Sequence, residues 1–103
     1  MKACCKAYLD EQFGGDANLV GEIYGEYVSS VAAKLEEADQ ALAAAEWARL
    51  DKVAHTIKGN ALTAGDPDMA EAAIALRGSA KLADVAEAQS LISRLKDLAT
   101  LLD

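Results

Sequence analysis

At 103 residues and a formal net charge of -7, the chain is large enough for one domain with a core and too short to add a nucleotide-binding kinase module. The acidity argues against nucleic acid and anionic membranes, which select basic surfaces. Alanine and leucine are abundant and there is one proline, so an all-α fold is expected.

No apolar run approaches the ~20 residues that span a bilayer, and Met1-Lys2-Ala3-Cys4-Cys5 lacks the apolar core of a signal peptide. A cytoplasmic protein without membrane contact is expected. Cys4 and Cys5 have no second pair to complete a metal site, so they read as two reduced thiols on a frayed terminus and no metal site is expected.

Tyr8, Leu9 and Phe13 share one side of a short helix, about residues 3–13, which Gly14-Gly15 stops and which caps one end of the fold. Asp16 or Asn18 caps the next helix. Its apolar positions Val20, Ile23, Tyr24, Tyr27, Val28, Val31, Leu35, Ala38 and Leu42 recur at three and four. No glycine or proline ends it. The heptad rows run into Arg49 and Lys52, however, and the apolar set resumes out of phase at Leu50 and Ile57, which places a turn at Ala44 to Glu46.

A third helix runs to about Ala64, burying Leu50, Val53, Ala54, Ile57, Ala61 and Ala64. Gly65-Asp66-Pro67 then supplies a C-terminal stop, an N-cap and a proline at the first helical position. The fourth turns Met69, Ala72, Ala73, Leu76 and Ala80 inward, with Gly78 allowing close packing or weakening its end. A connection near Ala83-Asp84 leads to the last, whose apolar face is Val85, Ala88, Leu91, Ile92, Leu95, Leu98 and Leu102. The pattern predicts an antiparallel up-down-up-down four-helix bundle over about residues 17–102 with the short N-terminal helix across one end, all within a single domain, 1–103.

The only histidine stands on the third helix, roughly 150° from the middle of its apolar stripe. The imidazole therefore faces water. Lys52 and Lys58 lie three residues away on either side, Asp51 and Gly59 four. A glycine in mid-helix costs roughly 1 kcal/mol relative to alanine, so Gly59 suggests that something approaches the backbone there. Neutral imidazole offers a lone pair at neutral pH and attacks phosphorus without a separate base. A lysine can hold the transferred oxygens as a point charge.

His55-Thr56-Ile57-Lys58-Gly59, with Ala54 before it and apolar-periodic helices on both sides, resembles the His-x-Leu-Lys-Gly signature of histidine-containing phosphotransfer (HPt) domains. The likeness extends over about residues 8–102, with Ile57 in place of the commoner Leu and Asn60 where a small residue is usual. It implies a carrier that shuttles a phosphoryl group between receiver-domain aspartates. His55 would be the phosphoacceptor, through Nε2; Lys58 would stabilise the phosphoryl group and Gly59 would give steric access. Leu62 and Ala48, near His55 around the helix, and Lys52 are candidates for partner docking. Asp51 is left between orienting the ring and a solvated charge.

The resemblance further implies response-regulator receivers as partners, a hybrid histidine kinase as a further one, and Mg²⁺ in the receiver rather than a cofactor here. A monomer is expected. The chain has no Gly-rich phosphate loop, so autophosphorylation from ATP is not. The initiating Met and the end at the last apolar heptad favour a free-standing protein over an excised kinase module. The residues alone leave a second reading, a non-catalytic bundle adaptor that binds and regulates a receiver or kinase, with His55 incidental.

Overall fold

In the computed structural model, which describes residues 1–102, five helices follow one another: α1 (Ala3–Gln12), α2 (Ala17–Ala43), α3 (Trp47–Ala64), α4 (Pro67–Lys81) and α5 (Val85–Ala99). Each long helix buries the stripe that its three- and four-residue spacing marks out. On α2 this is Val20, Tyr24, Tyr27, Val31, Leu35, Ala38 and Ala41; on α3 it is Leu50, Val53, Ala54, Ile57, Ala61 and Ala64. Contacts run α2 to α3, α3 to α4, α4 to α5 and α5 back to α2. That closes a four-helix ring around one core. The 27-residue α2 is about 40 Å long at 1.5 Å per residue, which sets the long axis of a 42 × 20 × 18 Å molecule.

The turns explain where the helices stop. Asp16 caps α2 by accepting from the amides of Asn18 and Leu19, Asp66 caps α4 through Met69 N, and Asp84 caps α5 through Glu87 N. Gly65 closes α3 in the left-handed conformation at φ 73°. The α2–α3 and α4–α5 turns, in contrast, place alanines there: Ala45 at φ 54° and Ala83 at φ 51°.

At the chain start, α1 packs on α2 and α3 and is tied down by a buried polar network. Lys2 Nζ binds Asp66 Oδ1 at 2.7 Å, Tyr27 donates to Asp66 Oδ2 at 2.7 Å, and Lys2 N donates to the Tyr24 hydroxyl at 3.0 Å. Tyr24 in turn donates to the carbonyl of Leu102. Asp66 is thus both the cap of α4 and the acceptor for two other elements. A buried carboxylate is tolerable only when paired and hydrogen-bonded in this way.

Four expectations need correction. The buried positions of α1 are Cys5 and Leu9, four apart, while Tyr8 and Phe13 are partly exposed; with the helix docked, the i, i+4 pair faces inward. The terminus is accordingly not frayed: α1 begins at Ala3, and Cys5 is fully buried while Cys4 is exposed. Gly78 is exposed with open space where a Cβ would go, so no close packing requires it. Val85, at the first turn of α5 beyond the reach of the core, is half exposed.

Candidate functional site

The site grows from the outer face of α3. Ala54, Ile57 and Ala61 lie in the core, so the 100° advance per residue carries His55 to the opposite side, where it is exposed. Gly59, one turn on, is exposed too, and a Cβ built there would meet nothing within 4 Å. The approach to the ring from that side is bare backbone. Lys58 is half-buried beside this turn and Lys52 is exposed. Leu62, 56% exposed, and Ala48, also exposed, continue the strip that contains His55. All six candidate positions therefore share the solvent-facing side of one helix.

A residue on α4 completes the site. Arg77 Nη1 lies 3.1 Å from His55 Nδ1, and Arg77 Nε donates to Asp51 Oδ1 at 2.9 Å. A guanidinium is a donor only, so in this contact Nδ1 accepts. Among the described residues no hydrogen bond is made to Nε2, which is left as the nitrogen open to a reagent. The Asp51 carboxyl is held below its ordinary 3.8, first by the hydrogen bond from Arg77 and further by the charges of Arg77 and Lys81, which together outweigh the opposing effect of burial. Asp51 thus acts on the ring through Arg77 rather than by touching it.

Arg77 follows His55 by 22 residues, so no local spacing reveals it. The signal that could have found it is the turn. Gly65-Asp66 folds α4 back antiparallel on α3, and residues equidistant from that turn come to lie side by side, which brings Arg77 opposite Ala54 and hence between Asp51 and His55. The same register sets Ile74, one turn before Arg77 and 54% exposed, level with Ile57 and Lys58. Leu62 on α3 and Ile74 on α4 are thus both exposed apolar side chains on the two helices that supply His55 and Arg77.

Asn60, where a smaller residue was the usual one, donates through Nδ2 to Ser30 Oγ at 2.6 Å and pins α3 to α2. It stands away from the ring. Among the described residues no group of three or more His, Cys, Asp or Glu side chains is placed to hold a metal ion, and no helix is long and apolar enough to cross a membrane.

These features converge on nucleophilic chemistry at one nitrogen, with cations beside it and an open face in front. No curated protein and no solved structure shows significant similarity to the chain. The family model of the Hpt domain, however, matches residues 22–103, from the second turn of α2 to the last residue of the chain, leaving α1 outside the match. The chain belongs to the Hpt domain family.

Proposed function

We propose that His55 carries the phosphoryl group in the phosphotransfer that Hpt domains perform in two-component phosphorelays. A receiver domain phosphorylated on its aspartate docks over α3 and α4. His55 Nε2 attacks phosphorus in line; the N–P bond forms as the P–O bond to the aspartate breaks, the receiver's carboxylate leaves, and the ring releases one proton to solvent. The reverse step hands the group to another receiver.

The observation that carries this reading is the placement of the ring: an exposed imidazole whose Nε2 edge meets no hydrogen-bond partner among the described residues, with bare backbone at Gly59 one turn away. Lys58 neutralises the arriving oxygens. Leu62, Ala48 and Ile74 form the apolar part of the docking surface, and Lys52 is a charged group at its rim. The receiver brings the Mg²⁺ that screens the phosphoryl charge, so this chain supplies only the nucleophile and its surroundings. Residues 1–103 act as one domain in this scheme, with α1 as an addition to the family's bundle.

Incubation with a ³²P-labelled receiver tests it. The wild-type chain takes up acid-labile, base-stable label and His55→Gln takes up none; label persisting on the variant would overturn the assignment.

A further inference from the structure

We infer that Arg77, anchored on Asp51, is a positioning residue that holds His55 in the tautomer protonated at Nε2, restraining attack in the resting protein and shielding Nδ1 once the ring is phosphorylated. The inference deepens the phosphocarrier reading and rests on it for its consequences, though not for the tautomer itself.

Donor counts fix the tautomer. Arg77 carries five N–H donors and no acceptor and stays protonated at any working pH. Its Nη1 can approach Nδ1 to 3.1 Å as a hydrogen bond only if Nδ1 presents its lone pair. Neutral imidazole has one N–H, which must then be on Nε2. In that tautomer the Nε2 electron pair belongs to the ring π system and is not available to phosphorus. The guanidinium is tethered beside the ring, because Nε is held by Asp51 at 2.9 Å and the two side chains are only 28% and 29% exposed. Asp51 lies one turn before His55 on the same helix, so anchor and target move together.

Transfer onto the ring then requires Arg77 to give up Nδ1. The Nε2 proton passes to water, a proton from water reaches Nδ1, and the freed Nε2 pair forms the N–P bond as the aspartyl P–O bond breaks. The product, protonated at Nδ1, returns that proton to water, and Arg77 donates again to the bare nitrogen. Breaking the N–P bond later, whether by water or by a receiver, is easiest from the ring protonated at Nδ1, where a neutral imidazole leaves. Arg77 competes for that position. It therefore lengthens the life of the phosphorylated form at the expense of speed in both directions.

A single histidine makes the test unambiguous. In the full chain labelled with ¹⁵N in the imidazole, the wild type at neutral pH should show a pyridine-like Nδ1 and a pyrrole-like Nε2. Arg77→Ala should shift both towards the averaged values of a free histidine. After chemical loading of His55 with phosphoramidate, the phosphohistidine of Arg77→Ala should hydrolyse roughly fivefold faster, the factor one hydrogen bond to a partly exposed group sustains. Arg77→Lys should restore part of the lifetime and Asp51→Asn should lose part of it. Arg77→Gln, which keeps neutral donors, serves as the second variant should the alanine variant not fold. Wild-type ring shifts or an unchanged lifetime in a folded Arg77 variant would overturn the inference while leaving the carrier reading intact. Failure of any receiver to label the wild type would do the reverse, since neither measurement uses a receiver.

Discussion

A phosphoryl group arriving on His55 brings close to two negative charges onto a surface whose fixed cation, Arg77, is already committed to Nδ1 and Asp51. The oxygens must be met by a different cation, and on α3 the half-buried Lys58, three residues from the ring towards the bare backbone of Gly59, is the one placed for it. Lys58→Ala should slow single-turnover transfer from a labelled receiver about tenfold, less than the hundredfold or more lost with a fully enclosed donor. The helical circular dichroism should not change. Equal rates for variant and wild type would remove the role. The difference between the two cations also shows what could be read in advance. Lys58 is within one turn of His55, so helical geometry alone finds it. Arg77 reaches the ring only through the α3–α4 turn, and a side chain flanking an apolar stripe looks the same in sequence whether it meets solvent or a partner.

At the scale of elements, turn chemistry decides how visible each boundary is. Gly65-Asp66-Pro67 combines a left-handed glycine, a buried cap and a proline, and each is recognisable by type. Ala45 and Ala83 perform the same left-handed step with a residue whose propensity is helical. The first of these turns shows in sequence only as a slip of the apolar register, and the burial of Cys5 in place of Tyr8 has no local signal, because it depends on how α1 docks. The two kinds of turn predict opposite mutational effects. A Cβ on Gly65 would run into the Tyr8 side chain as well as straining φ 73°, so Gly65→Ala should cost at least ~2 kcal/mol. Ala45→Gly relieves strain and should gain up to ~1 kcal/mol, reduced by the extra freedom of glycine in the unfolded chain. Urea midpoints moving in the same direction for both variants would contradict this account.

For the molecule as a whole, the α1 end makes stability fall on the alkaline side. Burial pushes the Cys5 thiol from 9.0 up to about 12, helped by the negative charge of Asp66. Burial also pushes the Tyr27 hydroxyl above its ordinary 10.0, with its hydrogen bond to Asp66 adding to the shift. Burial alone would lower Lys2, but its hydrogen bond and charge pairing with Asp66 outweigh this and raise it above 10.5. All three groups bind their protons more tightly when folded. Their contribution is therefore complete below about pH 9 and declines as pH rises through the range where the unfolded chain ionises and the native one does not. Under reducing conditions, unfolding free energy should fall by on the order of 2 kcal/mol between pH 7 and 10.5 from Cys5 alone; a flat urea midpoint over that range would refute the network's role. The opposite pole has no buried polar network of this kind among the described residues; its Arg49 makes exposed hydrogen bonds to Glu46 and Gln40. It carries the strained alanines Ala45 and Ala83 and the outward side chains Leu82 and Val85, so thermal breathing should begin there, and the first turns it reaches inward hold Asp51 on α3 and Arg77 on α4. His55 stands at mid-height and keeps its helix. Each brief fraying of that pole would thus unlatch the ring without unfolding its support, making amide exchange along Leu76 to Lys81 the clock that paces how often the nucleophile becomes available.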